Sequence, residues 1–156
     1  MSTSKEEPSV RLAPVVEALA DSLGDDLLAV VLFGSQARGE ASEESDWDLL
    51  VIARNLPPKT LTRHFALRAL LPEAWRGRIS LLAKTPQEFE SRLPALYLDI
   101  ALDGIVLFDR QNYITPRLDW LRRQIQTWGL VRRRIGRDLM WHGGSPVLTP
   151  GWEGFV

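Results

Sequence analysis

Two aspartates at the head of a buried strand constrain the fold of this chain more than any other feature of its sequence. The apolar segments at residues 27–33 (LLAVVLF) and 47–53 (WDLLVIA) are short, rich in branched residues and typical of buried strands. Asp46 and Asp48 flank Trp47 at the start of the second segment. Because side chains alternate across a sheet, both carboxylates project to one side and Trp47 to the other. Burying two like charges costs several kcal/mol, so the pattern predicts a cation between them.

The rest of the chain alternates between helices and strands. Apolar periodicity, together with proline and glycine boundary signals, predicts helices at residues 9–23, 59–71, 87–103 (interrupted at Pro94) and 115–141. Two more strands are expected at 78–83 and 105–108. The long C-terminal helix carries an apolar stripe formed by Leu118, Leu121, Ile125, Trp128, Ile135 and Leu139. This order of elements predicts an α/β (α+β) sheet with helices on its faces.

The length of the chain indicates one domain, and its composition excludes cysteine chemistry. We divide the 156 residues into a domain at 1–142, with its core at 9–108, and a glycine- and proline-rich tail at 143–156. The tail either docks through Trp152 and Phe155 or is loose. The absence of cysteine excludes disulfides, thiolate catalysis and cysteine zinc sites. No apolar run reaches the length of a membrane span, and the first residues are polar, so we expect a cytoplasmic protein without a membrane partner.

Small residues follow the first strand directly. Gly34 lets the backbone approach a ligand closely, and Ser35 adds a hydroxyl donor, which suits phosphate oxygens. Asp46 and Asp48, which supply hard oxygen ligands on one face, indicate a Mg²⁺ site that holds a nucleotide through its phosphates. Taken separately, a Gly-Ser turn and an Asp-x-Asp pair are both common on solvated surfaces. Their ordered combination favours a functional site.

The segment GSQARGEASEESDWDLLV, residues 34–51, resembles the signature of the minimal nucleotidyltransferases, a family of the DNA polymerase beta-like superfamily. A weaker resemblance in the order of elements extends to about residue 108. The resemblance implies a small mixed sheet flanked by helices, binding of Mg²⁺ and an NTP such as ATP, and transfer of a nucleoside monophosphate to an acceptor hydroxyl. It assigns Gly34 and Ser35 to the triphosphate and Asp46 and Asp48 to the metal as the catalytic pair. Arg38 would support the loop or the phosphates.

The resemblance also implies a partner. Members of the family often act as the antitoxin half of a two-gene system with a helical toxin. A helical, toxin-like partner protein is therefore expected, and a hydroxyl of that partner is the expected acceptor.

One position departs from the family pattern. The superfamily usually supplies a third carboxylate from a later strand, and in this chain that position falls at about Ser80. Serine is a weaker metal ligand than a carboxylate and is not a general base of that kind. Glu73 and Glu88 reach the site only if the strand register differs. Nucleotide binding is thus better supported than catalysis, and the alternative is a weak or inactive nucleotide-binding module that regulates a partner.

Arginines dominate the C-terminal segment. A nucleic acid, a triphosphate or an acidic partner could bind them, but we favour a solvated helix face and do not expect nucleic-acid binding; they are Arg122, Arg123, Arg132, Arg133, Arg134 and Arg137. The apolar stripe of the same helix is interpreted as core or as a homodimer contact. His64 and His142 are isolated and form no metal site.

Overall fold

A four-stranded mixed sheet forms the centre of the protein, seen in a computed structural model that describes residues 6–143 and 151–155. Its strands lie in the order β3-β2-β1-β4, with β1 antiparallel to both β2 and β4, and β2 parallel to β3. The strands are β1 (Leu27–Phe33), β2 (Trp47–Ala53), β3 (Ile79–Lys84) and β4 (Ile105–Asp109). The four strands and the mixed sheet expected from the sequence are therefore confirmed.

Seven α-helices occur within residues 6–143 and 151–155. They are α1 (Pro8–Arg11), α2 (Ala13–Leu23), α3 (Ser35–Arg38), α4 (Thr60–Leu70), α5 (Pro86–Ser91), α6 (Ala95–Asp103) and α7 (Thr115–Thr127). The expected first helix is divided at Leu12, two residues before Pro14, whose nitrogen has no hydrogen to donate. The interruption at Pro94 is confirmed, because Pro94 is the N-cap of α6.

Helices cover both faces of the sheet, which is why its central strands are apolar except for Asp48 near the start of β2. On one face, α5, α6 and α7 pack on alternate residues of β1 and β2 such as Val31 and Leu50. On the other face, α2 and α4 pack on Val30 and Leu49. All four of these side chains are fully buried. No helix within residues 6–143 and 151–155 is both long and apolar enough to cross a membrane.

The C-terminal helix is present but shorter than the sequence predicts. α7 ends at Thr127, and the predicted continuation to residue 141 is wrong. Gly129 adopts a φ of 66°, a left-handed conformation that terminates helices. The chain then forms an antiparallel hairpin from β5 (Leu130–Ile135) and β6 (Asp138–Gly143), which turns at Gly136, whose φ is 64°.

The apolar stripe divides at the same place. Leu118, Leu121 and Ile125 are buried in the core of the chain itself. Ile135 lies instead on the exposed hairpin, where it continues the helical spacing of the stripe only by coincidence. The helix face suggested for a homodimer is thus covered within the chain, and a homodimer stays a prediction.

The tail returns to the core in its described part. Trp152 Nε1 donates hydrogen bonds to the carbonyls of Phe89 (3.2 Å) and Arg92 (3.0 Å), and its ring stacks on Trp120 at 5.6 Å. Phe155 packs edge-on against both tryptophans. Of the two alternatives, docking through Trp152 and Phe155 is observed; residues 144–150 and 156 lie outside the described residues.

Replacing Glu88 with glutamine is expected to destabilise the fold by about 1–2 kcal/mol. Its carboxylate accepts hydrogen bonds from the buried Arg63 (2.7 Å) and from the backbone of Thr85 (2.8 Å), and these bonds lower its pKa to about 2 from an ordinary 4.5. Because the folded pKa is depressed, the contribution is present above pH 4.5 and is lost as the pH falls toward 2. Urea unfolding across this pH range measures the contribution of Glu88, with the exposed Glu17→Gln as control. Equal losses of unfolding free energy in the two variants would contradict the prediction.

Candidate functional site

The expected site residues from three different strands meet at one end of the sheet. In the antiparallel pair β1–β2, Phe33 lies opposite Asp48, so that Gly34 follows directly at the same end. In the parallel pair β2–β3, Asp48 lies opposite Ser80. The sheet therefore places Gly34, Asp48 and Ser80 side by side.

Gly34 adopts a conformation that only glycine adopts easily, and it lies against Asp48. Its φ is 77°, and a Cβ built at this position would collide with the Oδ2 atom of Asp48. Its carbonyl accepts hydrogen bonds from the amides of Ala37 and Arg38, both at 3.1 Å, which begins α3. The absence of a side chain at Gly34 thus lets the Asp48 carboxylate lie directly against the backbone, a contact that the sequence did not predict.

The Asp46–Asp48 pair shows the electrostatic conflict inferred from the sequence. Burial raises the pKa of Asp48, and the negative charge of Asp46 raises it further, whereas the Ser80 hydroxyl and the positive charge of Arg38 act in the opposite direction. Asp46 is exposed and Asp48 half-buried, while Trp47 packs into the opposite core with 3% of its surface exposed. Without a cation, the ionised pair is therefore unfavourable.

The two carboxylates at this end of the sheet fit a metal ion that is already partly coordinated by another ligand, such as a nucleotide. No group of three or more acidic, histidine or cysteine side chains arranged to hold a metal occurs in the parts of the chain that the structure describes. Two carboxylates beside the glycine turn would hold part of the coordination shell of a Mg²⁺ ion and leave the rest to phosphate oxygens and water. This is the coordination typical of nucleotide-bound magnesium in proteins.

Ser80 is exposed and lies opposite Asp48, and the strand register is the expected one, which places neither alternative glutamate on β3. Glu88 closes a capping box with Thr85 at the start of α5 and pairs with Arg63. Glu73 lies in a short turn before β3, ahead of the strand position that faces Asp48. The parallel register thus leaves a hydroxyl at the position where the resemblance implies a third carboxylate.

Arg38 lies at the site but is engaged by side chains that sequence reasoning missed. Its guanidinium donates to Glu40 (3.3 Å) and to Asp103 at the C-terminal end of α6 (3.4 Å). Asp103 is 65 residues away along the chain. No local pattern in the sequence signals such a contact.

Gly34→Ala is expected to reduce the nucleoside monophosphate transfer that the resemblance implies by about 100-fold, because displacement of a reacting group by 1 Å has effects of that size. The new Cβ would push the Asp48 carboxylate out of position and would also strain the backbone. Gly24→Ala is the matched control, since Gly24 has a φ of 56° with no atom within 4 Å of the added Cβ. Initial transfer rates measure the effect; equal losses in the two variants would show that backbone strain alone is responsible.

Comparison with known proteins places the site within a recognised family region. A family model described as "Polymerase beta, Nucleotidyltransferase" matches residues 17–113, which is more than half of the chain and includes every site residue discussed above. A curated relative in Methanocaldococcus jannaschii, "Putative protein adenylyltransferase MJ1305", is 39% identical over 94 residues. That match covers 58% of this chain and 64% of the relative, so the chain spans less than two thirds of the relative's length.

Solved structures share the fold at low sequence identity. A toxin–antitoxin complex with AMP-PNP contains a chain with a TM-score of 0.52 and 19% identity, covering 74% of this chain and 89% of that one. A mutant of the toxin–antitoxin pair MntA-HpeT gives a TM-score of 0.51 at 17% identity, covering 78% and 91%. At these identities the likeness establishes the fold alone.

Proposed function

This chain belongs to the polymerase beta nucleotidyltransferase family, and from that premise we propose that it transfers a nucleoside monophosphate from Mg·NTP to an acceptor hydroxyl. The observation that carries the proposal is the Asp48 carboxylate, held against Gly34 and beside Asp46, where burial and the charge of Asp46 disfavour its ionised form and a cation would stabilise it. The same turn leaves the backbone open for phosphate oxygens.

Each side of the site has a separate task. Asp46 and Asp48 would hold the metal, while Gly34 and Ser35 would bind the triphosphate through backbone and hydroxyl donors. Arg38 adds positive charge toward the phosphates. When bound, Mg²⁺ supplies compensation for the negative charge that develops on the leaving phosphates.

The reaction is an in-line displacement at the α-phosphorus. A bond forms between the acceptor oxygen and the α-phosphorus, the bond to the bridging α–β oxygen breaks, and pyrophosphate leaves. Ser80 provides no base, so the acceptor proton passes to water or to a group that the acceptor brings. Positioning by this chain's residues therefore carries most of the rate, and slow turnover is expected.

The proposed nucleotide is ATP, and the proposed acceptor is a hydroxyl of a helical partner protein. The name of the archaeal relative, a protein adenylyltransferase, supports protein as the acceptor class. The toxin–antitoxin complexes that share the fold support a toxin-like partner, one of them containing AMP-PNP. We also propose that residues 1–142 act as one domain and that the chain works in the cytoplasm.

A second candidate function is a nucleotide-binding module that regulates its partner without chemistry. The observation that favours it is Ser80, which stands beside Asp48 where the family has a carboxylate. Both candidates require Mg·ATP binding. Only the first requires transfer.

Two measurements on the purified chain separate the candidates. Mg·ATP at about a hundred times its Kd is expected to raise the Tm by about 5–10 °C, and EDTA should remove the effect. Incubation with α-labelled ATP and proteins of the source cell is expected to leave label on protein only when the chain is added, whereas the chain should add no label from γ-labelled ATP. Stabilisation without transfer would favour the binding module, and absence of both would overturn the site itself.

A further inference from the structure

The arginine of the motif is held between two carboxylates. Arg38 donates from Nε to Glu40 at 3.3 Å and from Nη1 to Asp103 at 3.4 Å. Asp103 is largely buried, with 10% of its side chain exposed, and Arg38 is 21% exposed. Two such partners would neutralise Arg38 and hold it away from an anionic ligand if nothing else engaged them.

Both carboxylates are engaged by the β5–β6 hairpin. Arg132 donates to Asp103 with two nitrogens, at 2.6 and 2.8 Å. Arg134 donates to both oxygens of Glu40, at 2.9 and 2.7 Å, and these bonds are the main reason that the pKa of Glu40 is lowered. The two arginines are two residues apart on β5 and therefore face the same way. Their bonds are shorter than those of Arg38, so each carboxylate is bound more strongly by the hairpin.

The hairpin is anchored where it meets α6. Arg132 also donates to Asp99 at 3.0 Å, and Trp141 Nε1 donates to the same Asp99 oxygen at 3.1 Å. Bonds to Asp103 and Asp99 raise the pKa of Arg132, so that it stays charged. These contacts join three arginines and three carboxylates into one arginine–carboxylate network, whose net charge is zero. Its members are Arg38, Arg132, Arg134, Glu40, Asp99 and Asp103. Loss of one arginine leaves an uncompensated negative charge beside the site.

We propose that Arg132 and Arg134 are positioning residues for nucleotide binding: by holding Asp103 and Glu40, they leave the charge of Arg38 available to the triphosphate. This inference rests on the proposed function, because it concerns the same Mg·NTP site. It assigns a role to the hairpin, which lies beyond the region matched by the family model. The hairpin acts at a distance, through the two carboxylates, and does not itself need to touch the nucleotide.

The test is the Kd of Mg·ATP measured by calorimetry for single and double variants. Arg132→Gln is expected to weaken binding about tenfold, since it frees Asp103 to pair fully with Arg38 and so withdraws the charge of Arg38 from the phosphates. Arg133→Gln is the matched control: Arg133 is the adjacent residue, exposed on the opposite face of β5, and binding should not change. In the transfer assay the Arg132 variant should raise KM and leave kcat nearly unchanged.

A second substitution separates positioning from a general structural role. Asp103→Asn removes the carboxylate that would capture Arg38, so the Arg132→Gln/Asp103→Asn pair should recover a Kd within about threefold of wild type. In an Arg38→Gln background, Arg132→Gln should have no further effect. If Arg132→Gln fails to fold, the exposed Arg134→Gln replaces it, with Glu40→Gln as its suppressor.

The outcomes distinguish this inference from the proposed function. Wild-type binding with an unchanged Kd in the hairpin variants would overturn the role of the hairpin and leave the proposed function intact. Weakened binding that the carboxylate substitutions do not restore would also overturn it, since that pattern indicates a structural defect. Absence of Mg·ATP binding by the wild type would overturn both.

Discussion

Replacing Asp48 with asparagine is expected to lower nucleotide transfer by at least about 100-fold and to abolish stabilisation by Mg·ATP. The size follows from the several kcal/mol that a metal contributes when it compensates transition-state charge. The apo protein should not lose stability. Burial and the charge of Asp46 raise the pKa of Asp48, so its ionised form opposes folding, and a neutral side chain of the same shape relieves that cost. We expect the Tm of the apo variant to rise by about 2 °C.

The pH dependence gives this prediction an internal check. Because the folded pKa is raised above its ordinary value of 3.8, the penalty is absent at low pH, where Asp48 is protonated in both states, and grows as the pH rises. The Tm difference between variant and wild type should therefore be small near pH 3.5 and largest at neutral pH. Asp21→Asn, an exposed carboxylate on α2, is the control. Normal transfer by the Asp48 variant would contradict the account.

Placing a carboxylate at Ser80 is expected to increase the rate of transfer, whereas removing the carboxylate of Asp48 decreases it. Ser80→Asp is expected to raise the rate of transfer at least about tenfold in the presence of Mg²⁺, since a positioned base contributes that much or more. The register places the new carboxylate directly beside Asp48. A third negative charge at this end of the sheet should also lower the apo Tm, and excess Mg²⁺ should restore it.

The neutral Ser80→Asn variant separates charge from size. It fills the same space but is not a base, so its transfer rate should stay at or below that of wild type. A gain in the aspartate variant alone would indicate that this chain lacks the third carboxylate of its superfamily. Equal rates for serine, asparagine and aspartate would show that the position beside Asp48 takes no part in the reaction.

The sheet was predictable because its signals are local. β1 and β2 are short apolar segments bounded by glycine or polar residues, and each is buried on both faces, as such segments indicate. Alternation across β2 separates Asp48 from Trp47, and that alternation is confirmed by the burial of Trp47 in the opposite core. Element type and burial therefore followed from the sequence without any knowledge of strand pairing.

The end of α7 was not predictable from periodicity. Ile135 and Leu139 continue the spacing of Leu118 and Ile125 by coincidence, and single glycines are tolerated within helices. What decides the structure is the left-handed conformation of Gly129 and Gly136, together with the bonds that hold Arg132 on α6. Those bonds join residues about 30 positions apart, where a single sequence gives no signal.

In the candidate site, too, some features were predictable from the local sequence and others depend on packing. Gly34, Asp46 and Asp48 lie within one motif, and their order was sufficient to indicate a cation and a phosphate ligand. The contacts of Arg38 with Asp103, and of Asp103 with Arg132, depend on how α6 and the hairpin pack. Sequence reasoning assigned Arg38 to the loop or the phosphates, and only the packing identified the groups that compete for it.

A crystal structure of the chain with Mn²⁺ and an ATP analogue carrying a methylene bridge between the α- and β-phosphates tests the central claim most directly. The analogue cannot release pyrophosphate, and anomalous scattering locates the metal. We predict Mn²⁺ bound by the carboxylates of Asp46 and Asp48, with the triphosphate against Gly34 and Ser35. Metal and nucleotide bound elsewhere, with Asp48 still packed on Gly34 and free of metal, would contradict the account.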